Sequence, residues 1–90
     1  MTAFSDNQPV AIDEPLADAA YRAAVVDLLA VLAYGELSAF ERLCDDAALA
    51  PSLSDKAEIS EMAVAEFGHF QLLRQRLVDL EVDPEQAMQP

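Results

Sequence analysis

Met62-Ala63-Val64-Ala65-Glu66-Phe67-Gly68-His69-Phe70 sets an acid and an imidazole three residues apart within a run of apolar residues. On a helix that spacing points both groups the same way, toward one shared ligand. Glu-x-x-His alone is a weak pattern, because many helices contain it by chance. Its setting here is what distinguishes it. Glu66 and His69 lie on the apolar stripe of their helix, and Glu36 lies on the apolar stripe of the helix before it. A carboxylate in such a position needs a partner, and a metal cation is the partner that fits.

Outward from that stretch the pattern is helical. Ser54 or Asp55 is the expected N-cap, with Glu58 placed for a capping box if Asp55 is the cap. The stripe is Ile59, Met62, Ala63, Phe70, Leu73, Leu77 and Leu80, and the helix is expected to run to about Glu81, where Val82-Asp83-Pro84 ends it. Upstream, Asp13 is a fair N-cap and Pro15 suits a first helical turn, where its missing N–H does no harm. From Leu16 to about Leu49 there is no proline. Val25, Leu28, Leu29, Leu32, Ala39, Phe40 and Leu43 recur at spacings of three and four, the mark of an amphipathic helix. At 1.5 Å per residue it would be ~50 Å long, a length usual in bundles. Ala50-Pro51-Ser52-Leu53 breaks the pattern. A short loop between long helices gives an antiparallel hairpin. The expected fold class is all-α, an antiparallel helical hairpin over residues 15–82, with a flexible tail at 1–14 and a linker at 83–90. No segment suggests a strand.

Face positions follow from about 100° per helical residue. Glu36 falls four after Leu32, three before Ala39 and seven before Leu43, in mid-stripe. Asp27 and Asp45 lie on the opposite face, and Glu58 and Glu61 turn toward solvent. Among the helical acids only Glu36 and Glu66 take positions expected in the core. Pro51 is fifteen residues from each, so a hairpin turning there sets them level, with His69 one turn further from the loop.

Burying an ionised carboxylate uncompensated costs several kcal/mol, and two like charges at one level cost more. Carboxylate plus imidazole suits iron or manganese, with zinc a third candidate. Three ligands leave one metal under-coordinated. Two copies of the set give four carboxylates and two imidazoles, the ligand set of a di-iron site in a bundle core. The competing reading is a Glu–His ion pair that fixes bundle register without a metal.

The composition narrows the partners. Ninety residues make one domain at most, and 53% of them are hydrophobic. Two helices cannot cover that much apolar surface, so the chain should dimerise or be completed by another segment. The formal net charge of -12, from 17 acids against five bases, argues against a nucleic-acid face here, since phosphate contacts rest on clustered Lys and Arg. It also disfavours docking on anionic lipid. Cys44 is the only cysteine, so no intrachain disulfide is expected, and a small buried apolar role suits it. Residues 1–15 lack the basic and apolar regions of a secretory signal. No stretch approaches ~20 uninterrupted apolar residues. A soluble, reduced, cytoplasmic protein is expected. Tyr21, Tyr34, Phe40, Phe67 and Phe70 read as core or interface packing rather than redox partners. Gly35 and Gly68 each neighbour a proposed ligand; either they admit close helix approach or they are incidental. There is no Gly-rich phosphate loop, nucleophile elbow or Cys pair for zinc.

Tyr34-Gly35-Glu36-Leu37-Ser38-Ala39-Phe40-Glu41, followed by Met62 to Phe70, resembles the first half of a ferritin-like four-helix di-iron protein. It is most similar to the actinobacterial branch that resembles the tRNA 2-methylthio-isopentenyladenosine hydroxylase. The resemblance covers about residues 16–90. It implies half of a ferritin-like four-helix bundle, with Glu36 a terminal carboxylate, Glu66 a bridging carboxylate and His69 a terminal imidazole. It assigns no catalytic residue beyond these metal ligands. It further implies two irons per completed site, with dioxygen and an electron donor as co-reactants. The matching Glu and Glu-x-x-His would come from a second helix pair, in a missing C-terminal half or a homodimer partner. The ending at Asp83-Pro84-Glu85-Gln86-Ala87-Met88-Gln89-Pro90 reads as a truncation between the pairs. By resemblance alone the substrate is an isopentenylated tRNA base. A ferroxidase or iron-handling protein with the site at a dimer interface is the alternative.

Overall fold

Residues 16–89 are described by a computed structural model. They form α1 (Ala19–Leu49), α2 (Leu53–Asp79) and α3 (Pro84–Met88), with no strand among the described residues. α1 and α2 pack side by side as an antiparallel hairpin, joined by residues 50–52, and the thinnest dimension is only 17 Å. The two long helices form a single layer, and α3 packs back against it, chiefly on α1.

Local chemistry sets the ends. Asp18 caps α1, its carboxylate accepting from the N–H groups of Ala20 and Tyr21 at 2.9 and 3.1 Å. The expected Asp13 cap and the 1–14 tail lie outside the described residues. Ala50 leaves the helix in an extended conformation, as a residue before proline must. Ser52, rather than Ser54 or Asp55, caps α2, its hydroxyl accepting from Asp55 N–H at 3.0 Å. The cap falls earlier because Pro51 stops α1 so sharply that the next side-chain acceptor, Ser52, can start the new helix at once.

α2 stops at Asp79, two residues before the expected Glu81. Glu81 adopts a left-handed conformation, φ 62°. Its N–H reaches Val78 C=O at 2.9 Å, and Val82 N–H reaches Leu77 C=O at 3.0 Å. This is a Schellman motif, which here uses a glutamate where glycine is usual. The segment expected to be a linker carries a short helix. Asp83 caps it, accepting from Glu85 N–H at 3.0 Å, and Pro84 takes its first position.

The seam between α1 and α2 departs from the stripe expected on α1. The buried residues are Ala30, Ala33, Ala63, Phe70, Leu77 and Leu80. The three from α2 and its C-cap Leu80 belong to the stripe expected there; the two from α1 do not belong to theirs. Leu28, Leu32 and Met62, expected in the core, are exposed. At about 100° per residue, Ala30, Ala33 and Phe40 fall on one side of Glu36, and Leu28, Leu32 and Ala39 on the other. α1 thus carries two apolar arcs, and α2 covers only one. Small alanines line the covered arc because they let two helices approach along most of their length.

By length and composition α1 could cross a membrane. Asp27 and Glu36 sit within it, and an acid at mid-bilayer costs about 2.5–3.5 kcal/mol. Two apolar arcs interrupted by such acids suit a helix enclosed by neighbours in a bundle.

The two long helices also cap each other. Lys56, in the first turns of α2, donates from Nζ to the carbonyls of Ala47 and Ala48 at the end of α1, at 3.1 and 2.9 Å. Arg22, equally placed in α1, donates from Nη2 to Leu80 C=O at the end of α2. Carbonyls at a helix C-terminus lack intrahelical partners, and cations there also meet the negative end of the dipole. One reciprocal strap at each end fixes how far one helix slides along the other.

Candidate metal centre

That register decides the site. Glu36 comes from the middle of α1, and Glu66 and His69 from successive turns of α2. One ligand atom from each, two carboxylate oxygens and an imidazole nitrogen, lie within 4.8 Å of one another. His69 Nδ1 stands 3.6 Å from Glu36 Oε2 and 3.9 Å from Glu66 Oε2. These separations exceed those of good hydrogen bonds. They fall within the roughly 3–4.4 Å that separates two ligands each about 2.0–2.2 Å from one ion.

Burial is more graded than the sequence suggests. The side chains of Glu36 and Glu66 are 29% and 32% exposed, and that of His69 is 57% exposed. None is a core residue, because the ligands sit on the edge of the seam and face the uncovered arc. Glu36 Oε2 is itself buried and has no hydrogen-bond partner. A buried acceptor left unpaired costs about 1–3 kcal/mol, more when charged. An orphaned carboxylate oxygen aimed at a second carboxylate and an imidazole fits a cation-binding group.

On the seam side the site is backed by aromatic rings. Phe40 and Phe67 stack at 5.0 Å between centroids and Phe67 and Phe70 at 5.6 Å, both tilted. Phe70 is buried, while Tyr21 and Tyr34 are about half exposed. Gly35 and Gly68 are not close-approach points within this hairpin: a Cβ on either would meet nothing within 4 Å. Cys44, expected to be buried, is exposed.

The family model of a ferritin-like domain of actinomycetes matches residues 19–90. The chain belongs to this family. The match begins at the first residue of α1 and takes in the whole hairpin, the three converging residues and α3. The ferritin-like domain therefore presents Glu36, Glu66 and His69 on its uncovered side. No curated protein and no solved structure matches the chain.

Arg22 and Lys56 belong to no motif, yet they hold the site in register. A signal was present. Each is a cation in the first turns of its own helix, the wrong end for its own dipole. That placement serves the neighbouring helix in an antiparallel pair.

Proposed function

We propose that this chain supplies half of a non-haem two-metal site, with iron the fitting metal and manganese the other that suits the ligands, in a cytoplasmic oxygen-activating protein. The convergence of Glu36, Glu66 and His69 within 4.8 Å carries this reading, together with the unpaired Oε2 of Glu36. Two carboxylates and one imidazole match a redox metal of intermediate hardness. Three ligands leave coordination positions open on the uncovered side, where a second set of ligands and a small molecule would enter. Glu36 and Glu66 would offset the cation charge, and His69 would present Nδ1 while its exposed ring edge stays in water. Iron held there supplies one-electron chemistry toward dioxygen when an electron donor is present. The reaction class favoured by the resemblance is hydroxylation, with an isopentenylated tRNA base as substrate. With a net charge of -12, phosphate contacts would have to come from surfaces outside this domain.

The same acidity favours a second reading, oxidation of Fe(II) as substrate, because a negative surface raises the local concentration of cations. The deciding experiment is anaerobic loading with Fe(II), with metal per chain measured for wild type, Glu66→Ala and His69→Ala. About one iron per chain in wild type, lost in both variants, supports the site; no iron in wild type rejects it. Admitting oxygen then separates the two activities. Oxygen uptake that needs a reductant and leaves the iron content unchanged favours hydroxylation. Fe(III) accumulating beyond the site's capacity favours iron oxidation.

A further inference from the structure

We infer that the uncovered face of the hairpin is occupied by a second copy of the same chain, whose Glu36, Glu66 and His69 complete the two-metal site. This rests on the metal reading above for the site, but its observations are those of the surface. The hairpin is one layer thick, whereas a stable domain needs two layers around an apolar core. The ligand-bearing side exposes Leu32 at 46% and Met62 at 56%, one above and one below the level of the ligands.

The size is right. Helices of 31 and 27 residues at 1.5 Å each, lying 8–10 Å apart, present a face of about 40 by 20 Å. That is about 800 Å² per partner, the area of a standard stable interface. The charge is right as well. Among the described residues, Glu36, Glu66 and His69 are the ionisable groups that converge at the centre of this face, and four carboxylates balance two divalent cations. The arrangement is also self-complementary. With the ligands central and apolar residues toward both ends, a two-fold axis through the site sets apolar against apolar and ligand against ligand. A segment of different sequence would need to match that pattern independently; a copy does so by symmetry.

Sedimentation and native mass of the whole chain, with chelator and with Mn(II), test the proposal. The expected mass is twice 9.8 kDa, with Mn(II) shifting the equilibrium further toward the dimer. Met62→Lys should give a monomer with helicity retained and Mn(II) affinity reduced at least tenfold, although Met62 ligates nothing. Val64→Lys, on the opposite side of α2 and 71% exposed, should leave mass and affinity unchanged. A metal-binding monomer overturns the proposal and leaves the metal site standing. So does a dimer broken by Val64→Lys and not by Met62→Lys, or one whose loss leaves Mn(II) affinity untouched. A metal-free dimer broken by Met62→Lys alone supports the interface and overturns the metal reading instead.

Discussion

Replacing Glu36 by glutamine should change stability in opposite directions with and without metal. The substitution keeps the shape and removes one charge from a cluster whose ligand atoms lie within 4.8 Å of each other. Two unit charges at that distance repel by about 3.5 kcal/mol at an effective dielectric of 20 and about 0.9 in water. Both carboxylates are roughly 30% exposed, so solvent screening favours the lower end, about 1 kcal/mol. Glu36 Oε2 accepts no hydrogen bond, so little is lost against that gain. In chelator, Glu36→Gln should therefore stabilise the chain by about 1 kcal/mol, or about 4–8 °C in Tm for a domain of this size. With metal the sign reverses. Losing one of three ligands should weaken binding about 100-fold, or about 2.7 kcal/mol at saturating metal. The net effect is about 2 kcal/mol of destabilisation. The assay is thermal unfolding by circular dichroism at fixed chain concentration, in chelator and in excess Mn(II), for wild type and variant. Equal destabilisation in both conditions would mean that Glu36 acts through an ion pair with His69 and not through a metal.

Three further substitutions test the scaffold. Lys56→Met removes a charged donor from the Ala47 and Ala48 carbonyls and should cost about 1–2 kcal/mol by chemical denaturation; an unchanged midpoint would deny it a capping role. Glu81→Gly relieves a left-handed glutamate at φ 62° and should stabilise by about 1 kcal/mol after the entropy of glycine is discounted, seen as a higher urea midpoint with the same slope. Leu77 is fully buried at the seam, so Leu77→Ala should destabilise by about 2–5 kcal/mol; a cost below 1 kcal/mol would mean that the α1–α2 seam is not the core.

Several features were legible from local pattern. The two long helices follow from spacings of three and four, and the hairpin from the single break at Pro51. The meeting of Glu36 with Glu66 follows from their equal distance to that break. Periodicity fails at α1 for a physical reason. A helix whose apolar residues span two arcs gives one broad stripe, and the stripe does not say which arc meets the partner present. Ala30 and Ala33 won the seam because small side chains allow closer approach, which hydrophobicity alone does not report.

Residue pattern alone specifies the two long helices, the turn between them, and one acid on the apolar stripe of each helix with an imidazole one turn beyond. These are local properties, set by backbone preference and residue spacing. The rotation of each long helix about its axis depends instead on packing, and with it the half-buried position of Glu36 and Glu66 and the exposure of His69. The same is true of the axial register, set by Arg22 and Lys56, which reach carbonyls 58 residues and eight to nine residues away. Both depend on contacts between distant segments. Those contacts bring the three ligand atoms together on the side that α2 leaves uncovered.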